Sequence, residues 1–281
     1  MKPSSARFRK GLDGLLKGIS TVAAFVGIFF LTWILYEVLG RGITALNWPF
    51  FTQAPTPPGT PGGGIGPALV GTFFMTLLAV ALGVPAGIFA GVYLSEFGQR
   101  SRLGAAVRFT VNVMMGIPSI IVGLFVYGML VQPFGHFSGY AGAVSLAIIM
   151  LPVIARTSED MLRMVPDSLR ESALALGAPR WKAILSIVFR AAKSGMITGV
   201  MLALARVSGE TAPLLFTSLN SPFWPNSLSG PTANLTVTIF NYAMSPYADW
   251  QRMAWGASLL IMSAVLLLTI SARVMMKENK R

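Results

Sequence analysis

Long apolar stretches separated by short basic ones set the plan of this chain. A helix crosses the hydrocarbon core with about 20 predominantly apolar residues. Six segments qualify, at 19–39, 68–94, 110–131, 140–156, 194–218 and 253–275. The pattern predicts an all-α polytopic membrane protein with six transmembrane helices. Gly83, Pro85, Gly87, Gly116, Pro118, Pro152 and Pro213 interrupt the segments, which membrane helices tolerate because neighbouring helices satisfy the freed backbone groups. Segment 18–39 is too long for a signal peptide and lacks a small-residue cleavage site, so it is expected to remain as the first anchor.

Basic residues fix the expected orientation. Lys2, Arg7, Arg9, Lys10 and Lys17 precede the first span, and Arg100, Arg102 and Arg108 lie around the second connection. Arg156, Arg163, Arg170, Arg180, Lys182, Arg190 and Lys193 fill the connection between the fourth and fifth spans, and Arg273, Lys277, Lys280 and Arg281 end the chain. The alternate connections hold only Arg41 and Arg252. With six spans, every basic loop falls on one side, and both termini are predicted to be cytoplasmic.

Composition agrees. Of 281 residues, 54% are hydrophobic and 11% charged, against about 25% charged in soluble domains. The formal charge of +12 comes from basic residues between apolar spans, so it indicates membrane lipid and no nucleic acid. There is no cysteine and a single histidine, His136, which reads as a loop residue; no disulfide framework and no metal cluster is expected. No Gly-x-x-x-x-Gly-Lys-Ser/Thr run occurs, so the chain does not hold ATP by that device, and no cofactor of its own is expected.

The outer connection 41–67 contains PTPPGTPGGGIGP and reads as a connector. The outer connection 219–252 carries Phe223, Trp224, Tyr242, Tyr247 and Trp250, which suit a membrane interface or a docking surface.

Two features break the apolar pattern. Arg206 and Glu210 lie inside the fifth segment, where each charge near the bilayer centre costs about 2.5–3.5 kcal/mol on insertion scales. Four residues apart, they are expected to share a helix face with Gly199 and Ala203, which are small enough to admit something between helices. The second feature is the basic connection 156–193. Pro166 stops the preceding helix, Ser168-Leu169-Arg170-Glu171 matches a capping box, and a short helix Leu169–Leu176 is predicted. Gly177 would close it in the left-handed conformation, and Pro179 would start the next helix, Trp181–Phe189. Leu169, Ala173 and Leu176 would form an apolar ridge requiring a partner surface.

Glu171-Ser172-Ala173, then Gly177, then Ile187 resembles the EAA loop of ABC-importer permeases, with Ser172 for the first alanine and Phe189-Arg190 where that family has Leu-Pro. The latter departure suggests a continuous helix into the fifth span. Further runs resemble the PstA-type permeases of phosphate-uptake systems: Gly116-Ile117-Pro118-Ser119-Ile120, Leu151-Pro152 with Ile154-Ala155-Arg156-Thr157, and Ala205-Arg206-Val207-Ser208-Gly209-Glu210-Thr211-Ala212-Pro213.

The resemblance spans roughly 68–275 and implies a type I ABC-importer permease fold. The division is then a basic cytoplasmic N-terminus 1–18, a first helix and outer loop 19–67, a permease core 68–275 with coupling loop 156–193, and a tail 276–281. It implies a PstC-like sister permease, a PstB-like ATPase dimer carrying ATP and Mg, and a PstS-like phosphate-binding protein, in the inner membrane of a prokaryote. It further implies a non-catalytic subunit: Arg206, Glu210, Ser208 and Thr211 line an anion pathway, while Glu171, Ser172, Ala173 and Gly177 engage the ATPase. A guanidinium matches phosphate oxygens two at a time, which suits Arg206 to anion contact. Permeases for sulfate or molybdate, and secondary anion transporters, are the competing readings.

Overall fold

The computed structural model describes residues 4–60 and 62–278; Lys2, Lys280 and Arg281 of the charge pattern lie outside them. All its regular elements are helical. They are α1 (Ser4–Gly42), α2 (Trp48–Thr52), α3 (Gly66–Val92), α4 (Arg102–Gly116), α5 (Ser119–Val126), α6 (Gln132–Phe134), α7 (Gly139–Arg163), α8 (Asp167–Ala175), α9 (Arg180–Ala183), α10 (Phe189–Val207), α11 (Ala212–Thr217), α12 (Leu235–Ala243) and α13 (Ala248–Glu278). A π-helical turn, Tyr93–Phe97, prolongs α3. Another, Ile184–Val188, joins α9 to α10, so Arg180–Val207 is one uninterrupted helix through Phe189-Arg190.

Five helices are long and apolar enough to cross a membrane, and a bent pair makes up to six. The bent pair is the expected third span. At its middle Ile117 is extended, the conformation that a following proline favours, and Pro118 starts a new helix. The two halves meet at 107°, so 110–131 is a broken segment and not a straight span.

The expected fifth span is broken as well. Helix α10 ends at Val207, and α11 begins at Ala212 with Pro213 in its first turn, where a missing N–H costs nothing. Glu210 therefore lies outside the helix, and the shared helical face expected for Arg206 and Glu210 does not exist.

The centre is the pair α3 and α7, the most extensive helix–helix packing in the described chain. They run parallel, with Gly83 against Ala147, Gly87 against Ile154 and Gly91 against Ser158. A Cβ on Gly87 would stand 2.8 Å from the Ile154 Cβ, so only glycine permits this approach. On the other side, α10 lies antiparallel to α7, with Gly195 facing Met161 and Gly199 facing Thr157. Gly199 and the fully buried Ala203 are thus filled by helix packing and leave no space for a solute, contrary to the sequence expectation.

Two further expectations change. Pro166, not Ser168, occupies the cap position of α8, and no capping side chain is present; Ser168 lies inside the helix, where its carbonyl accepts the Ser172 hydroxyl at 2.7 Å. The aromatic residues of connection 219–252 divide. Tyr242 is buried and stacks on Trp250 at 4.5 Å, and burial pushes its phenol up to about 12, whereas Phe223 and Trp224 stay exposed.

Candidate functional site: a cavity between two broken helices

The two breaks are neighbours. Gly123 of α5 packs on Pro213 of α11, 2.6 Å separating a hypothetical Cβ from the proline Cα. Beside this contact lies a cavity of about 270 Å³. Its walls are the bend between α4 and α5 (Met114, Met115, Ile117, Ser119), the α5 face (Ile121, Val122, Phe125), the middle of α7 (Ile148, Ile149, Pro152), and Arg206. The runs 116–120, 151–152 and 205–213, far apart in sequence, all contribute to it.

Arg206 is the sole charged residue in that lining. It lies in the last turn of α10, where the helix dipole favours a cation. Its Nε stands 3.9 Å from Glu210 Oε1, within ion-pair range but beyond a hydrogen bond. The Arg206 side chain is 46% exposed and that of Glu210 16%, so the carboxylate is held in the protein while the guanidinium opens outward. Among the described residues no acceptor hydrogen-bonds Arg206, leaving its five donors available.

Of the four pathway residues, Arg206 and Glu210 come together. Ser208 turns away, its hydroxyl donating to the Leu204 carbonyl at 2.8 Å and its side facing α3 and α13. Thr211 is half-buried at the start of α11, makes no capping bond, and is not among the cavity lining.

The loop carrying Glu210 is fixed from connection 219–252 by a residue the sequence reading missed. The Glu210 carbonyl accepts the Thr236 hydroxyl at 2.7 Å. The Thr236 hydroxyl oxygen also lies 2.9 Å from Asn234 Oδ1, which caps α12 by accepting the Val237 amide at 2.8 Å, and Asn234 Nδ2 donates to the Ser218 hydroxyl at 3.2 Å. An Asn just before the apolar run 235–240 is a helix-start signal that could have revealed it.

At the basic end, α8 stands on the surface with Glu171 and Ser172 exposed and Ala173 buried. Leu169, Leu174, Leu176 and Trp181 are exposed. Gly177 has φ +79°, and the bonds from Gly177 N–H to Leu174 O (2.9 Å) and from Ala178 N–H to Ala173 O (3.1 Å) close the helix as a Schellman turn.

Two ion-pair groups brace this end, and their contacts between helices were not visible in sequence. Fully buried Glu159 on α7 pairs with Arg108 of α4 at 2.8 Å and Arg163 at 2.8 Å, with Arg156 at 3.5 Å from its other oxygen. Arg170 of α8 pairs with Glu96, at the end of α3, at 3.0 Å. No group of three or more His, Cys, Asp or Glu able to hold a metal is found among the described residues.

Comparison with known proteins agrees with this architecture. Residues 83–278 match the family model described as binding-protein-dependent transport system inner membrane component. A protein from Yersinia pestis named phosphate transport system permease protein PstA is 48% identical over 279 residues, covering 99% of this chain and 94% of that one. The protein of the same name from Haemophilus influenzae is 45% identical, covering 97% and 96%. Among solved structures, a chain of the inward-facing MetNI methionine ABC transporter superposes with a TM-score of 0.60 at 21% identity, over 78% of this chain and 95% of that chain. An amino acid ABC transporter solved with histidines gives 0.52 at 16% identity, over 76% and 91%, and both likenesses speak to the fold. The chain belongs to the family of binding-protein-dependent transport system inner membrane components, among the PstA-named permease proteins.

Proposed function

We propose that this chain is a membrane permease subunit of an ATP-driven phosphate importer, forming half of the anion pathway and coupling to a separate ATPase. The observation that carries the reading is the Arg206 guanidinium, the sole charge on the cavity lining and free of hydrogen-bond partners among the described residues. A guanidinium binds an oxyanion bidentately, through two parallel charge-assisted N–H···O bonds. Glu210, at 3.9 Å, neutralises Arg206 when the pathway is empty and gives way to a more strongly charged ligand. The names of the relatives supply phosphate as the oxyanion.

The second half of the pathway comes from a PstC-like sister permease, and a PstS-like protein delivers phosphate at the outer face. A PstB-like ATPase dimer, holding ATP and Mg, docks on α8, where exposed Leu169, Leu174 and Leu176 surround Glu171 and Ser172 and Ala173 anchors the helix from beneath. The basic end is cytoplasmic by the positive-inside rule, both termini lie there, and the protein resides in the inner membrane of a prokaryote. Ser208 and Thr211 serve the pathway by shaping the break after α10, since neither hydroxyl reaches the cavity in this conformation.

The test is phosphate uptake by the complete complex in proteoliposomes. Arg206→Gln, of similar length and uncharged, should abolish ATP-driven uptake while the complex still assembles and hydrolyses ATP. Uptake at the wild-type rate would refute the anion role.

A further inference from the structure

We propose that the Glu96–Arg170 ion pair is a positioning device that makes α8 move α3 and α7 as one body, an inference that rests on the coupling role of α8 proposed above. The usual path for such a load would be along the chain, from α8 through the Gly177 turn into α10. The side chains provide a second and more direct one.

Glu96 sits in the π-helical turn that ends α3, and its side chain is 6% exposed. Arg170, 18% exposed, donates to Glu96 Oε1 at 3.0 Å. The same guanidinium donates to the carbonyls of Leu162 at 2.7 Å and Val165 at 2.6 Å, at the end of α7, and to Asp167 at 3.0 Å. Arg170 thus ties α8 to the ends of α3 and α7 at once. From beyond the Gly177 turn, Arg180 donates to the Glu96 carbonyl at 2.6 Å and covers the Phe97 ring at 5.0 Å. Arginines on both sides of the turn therefore grip the same turn of α3.

This grip has a rigid body behind it. Helices α3 and α7 are locked along their length by Gly83, Gly87 and Gly91, and α7 carries Ile149 and Pro152 into the cavity. Displacement of α8 therefore reaches the cavity wall opposite Arg206 without passing through α10. A mostly buried ion pair is weak evidence of stability, because desolvation offsets its attraction. Its value here is geometric: a guanidinium with four acceptors admits one arrangement of three helix ends.

The chain's lack of cysteine permits a clean test. The pair is replaced by Glu96→Cys with Arg170→Cys in the full complex, and phosphate transported per ATP hydrolysed is measured on particles that retain the ATPase. We expect that ratio to fall about tenfold, a typical loss for one coupling element. A short bifunctional maleimide joining the two cysteines should restore it, because α8 and α3 need no relative motion. Glu96→Gln, which keeps size and removes charge, should show the same fall if the double variant does not assemble. The proposal is overturned if the ratio is unchanged in surviving complexes, as for a mere assembly staple, or if the cross-link leaves hydrolysis without transport. A wild-type complex that took up no phosphate with ATP would instead refute the importer reading on which the proposal depends.

Discussion

Replacing Gly177 isolates a single physical cost. Its φ of +79° lies in the left-handed region, and a Cβ built there meets nothing within 4 Å. Any effect of substitution is therefore backbone strain, with no steric clash against neighbours to confuse it. A β-branched residue in this region costs about 1–3 kcal/mol. The turn can relieve that strain by giving up the two bonds that close α8, to Leu174 O and Ala173 O. At about 2 kcal/mol the closed turn becomes some 30-fold less favoured over the opened one. An opened turn lets α8 move without moving α9, so Gly177→Val should lower phosphate transported per ATP hydrolysed in reconstituted liposomes, with ATPase binding intact. Gly177→Asn provides the control, because asparagine tolerates the left-handed region far better. Asn should therefore stay within about threefold of wild type. Equal transport ratios for Val and Asn would refute the reasoning, since side-chain size would then replace φ as the cause.

Two further substitutions address the braces. Glu159→Gln leaves the partly exposed Arg108 and Arg163 without their buried anion, a loss of about 1–3 kcal/mol once their access to water is allowed for; the thermal midpoint of the purified protein should drop, and an unchanged midpoint would show that water already solvates the arginines. Asn234→Ala removes the α12 cap and its bond to Ser218, costing about 0.5–2 kcal/mol for the cap alone, and faster hydrogen exchange at Val237 checks it.

How much was legible follows from how local each signal is. Membrane spans need only length and apolarity, so the apolar runs marked the spanning helices, though α1 begins well before residue 19 and α7 runs on past 156. The breaks were not legible, because proline carries no fixed meaning in a membrane helix. Pro85 and Pro152 sit inside unbroken helices, while Pro118 and Pro213 accompany breaks. Tertiary neighbours decide which outcome occurs. Gly177 was legible because a left-handed residue at a helix end is a local property. The Arg170–Glu96 pair joins residues 74 apart, and no spacing rule reaches that far. Arg206 stood out as a charge among apolar residues, but the walls opposite it come from α4, α5 and α7 and exist only once the helices pack.

The first helix has a consequence in its length alone. At 1.5 Å per residue, the 39 residues of α1 measure about 58 Å, nearly twice the hydrocarbon thickness of about 30 Å. Its apolar part, from about Ile19 to Leu39, fills the lipid, and Gly42 meets Leu259 of α13 at the far end. With that part in the lipid, the preceding helical residues project as a stiff rod about 20 Å beyond the hydrocarbon core. Lys17 on that rod then lies at headgroup depth, and Lys10 and Arg9, about 14 Å beyond the hydrocarbon, still feel the field of anionic lipid. The rod therefore resists being drawn inward, and its tilt is set by surface charge as well as by hydrophobic thickness.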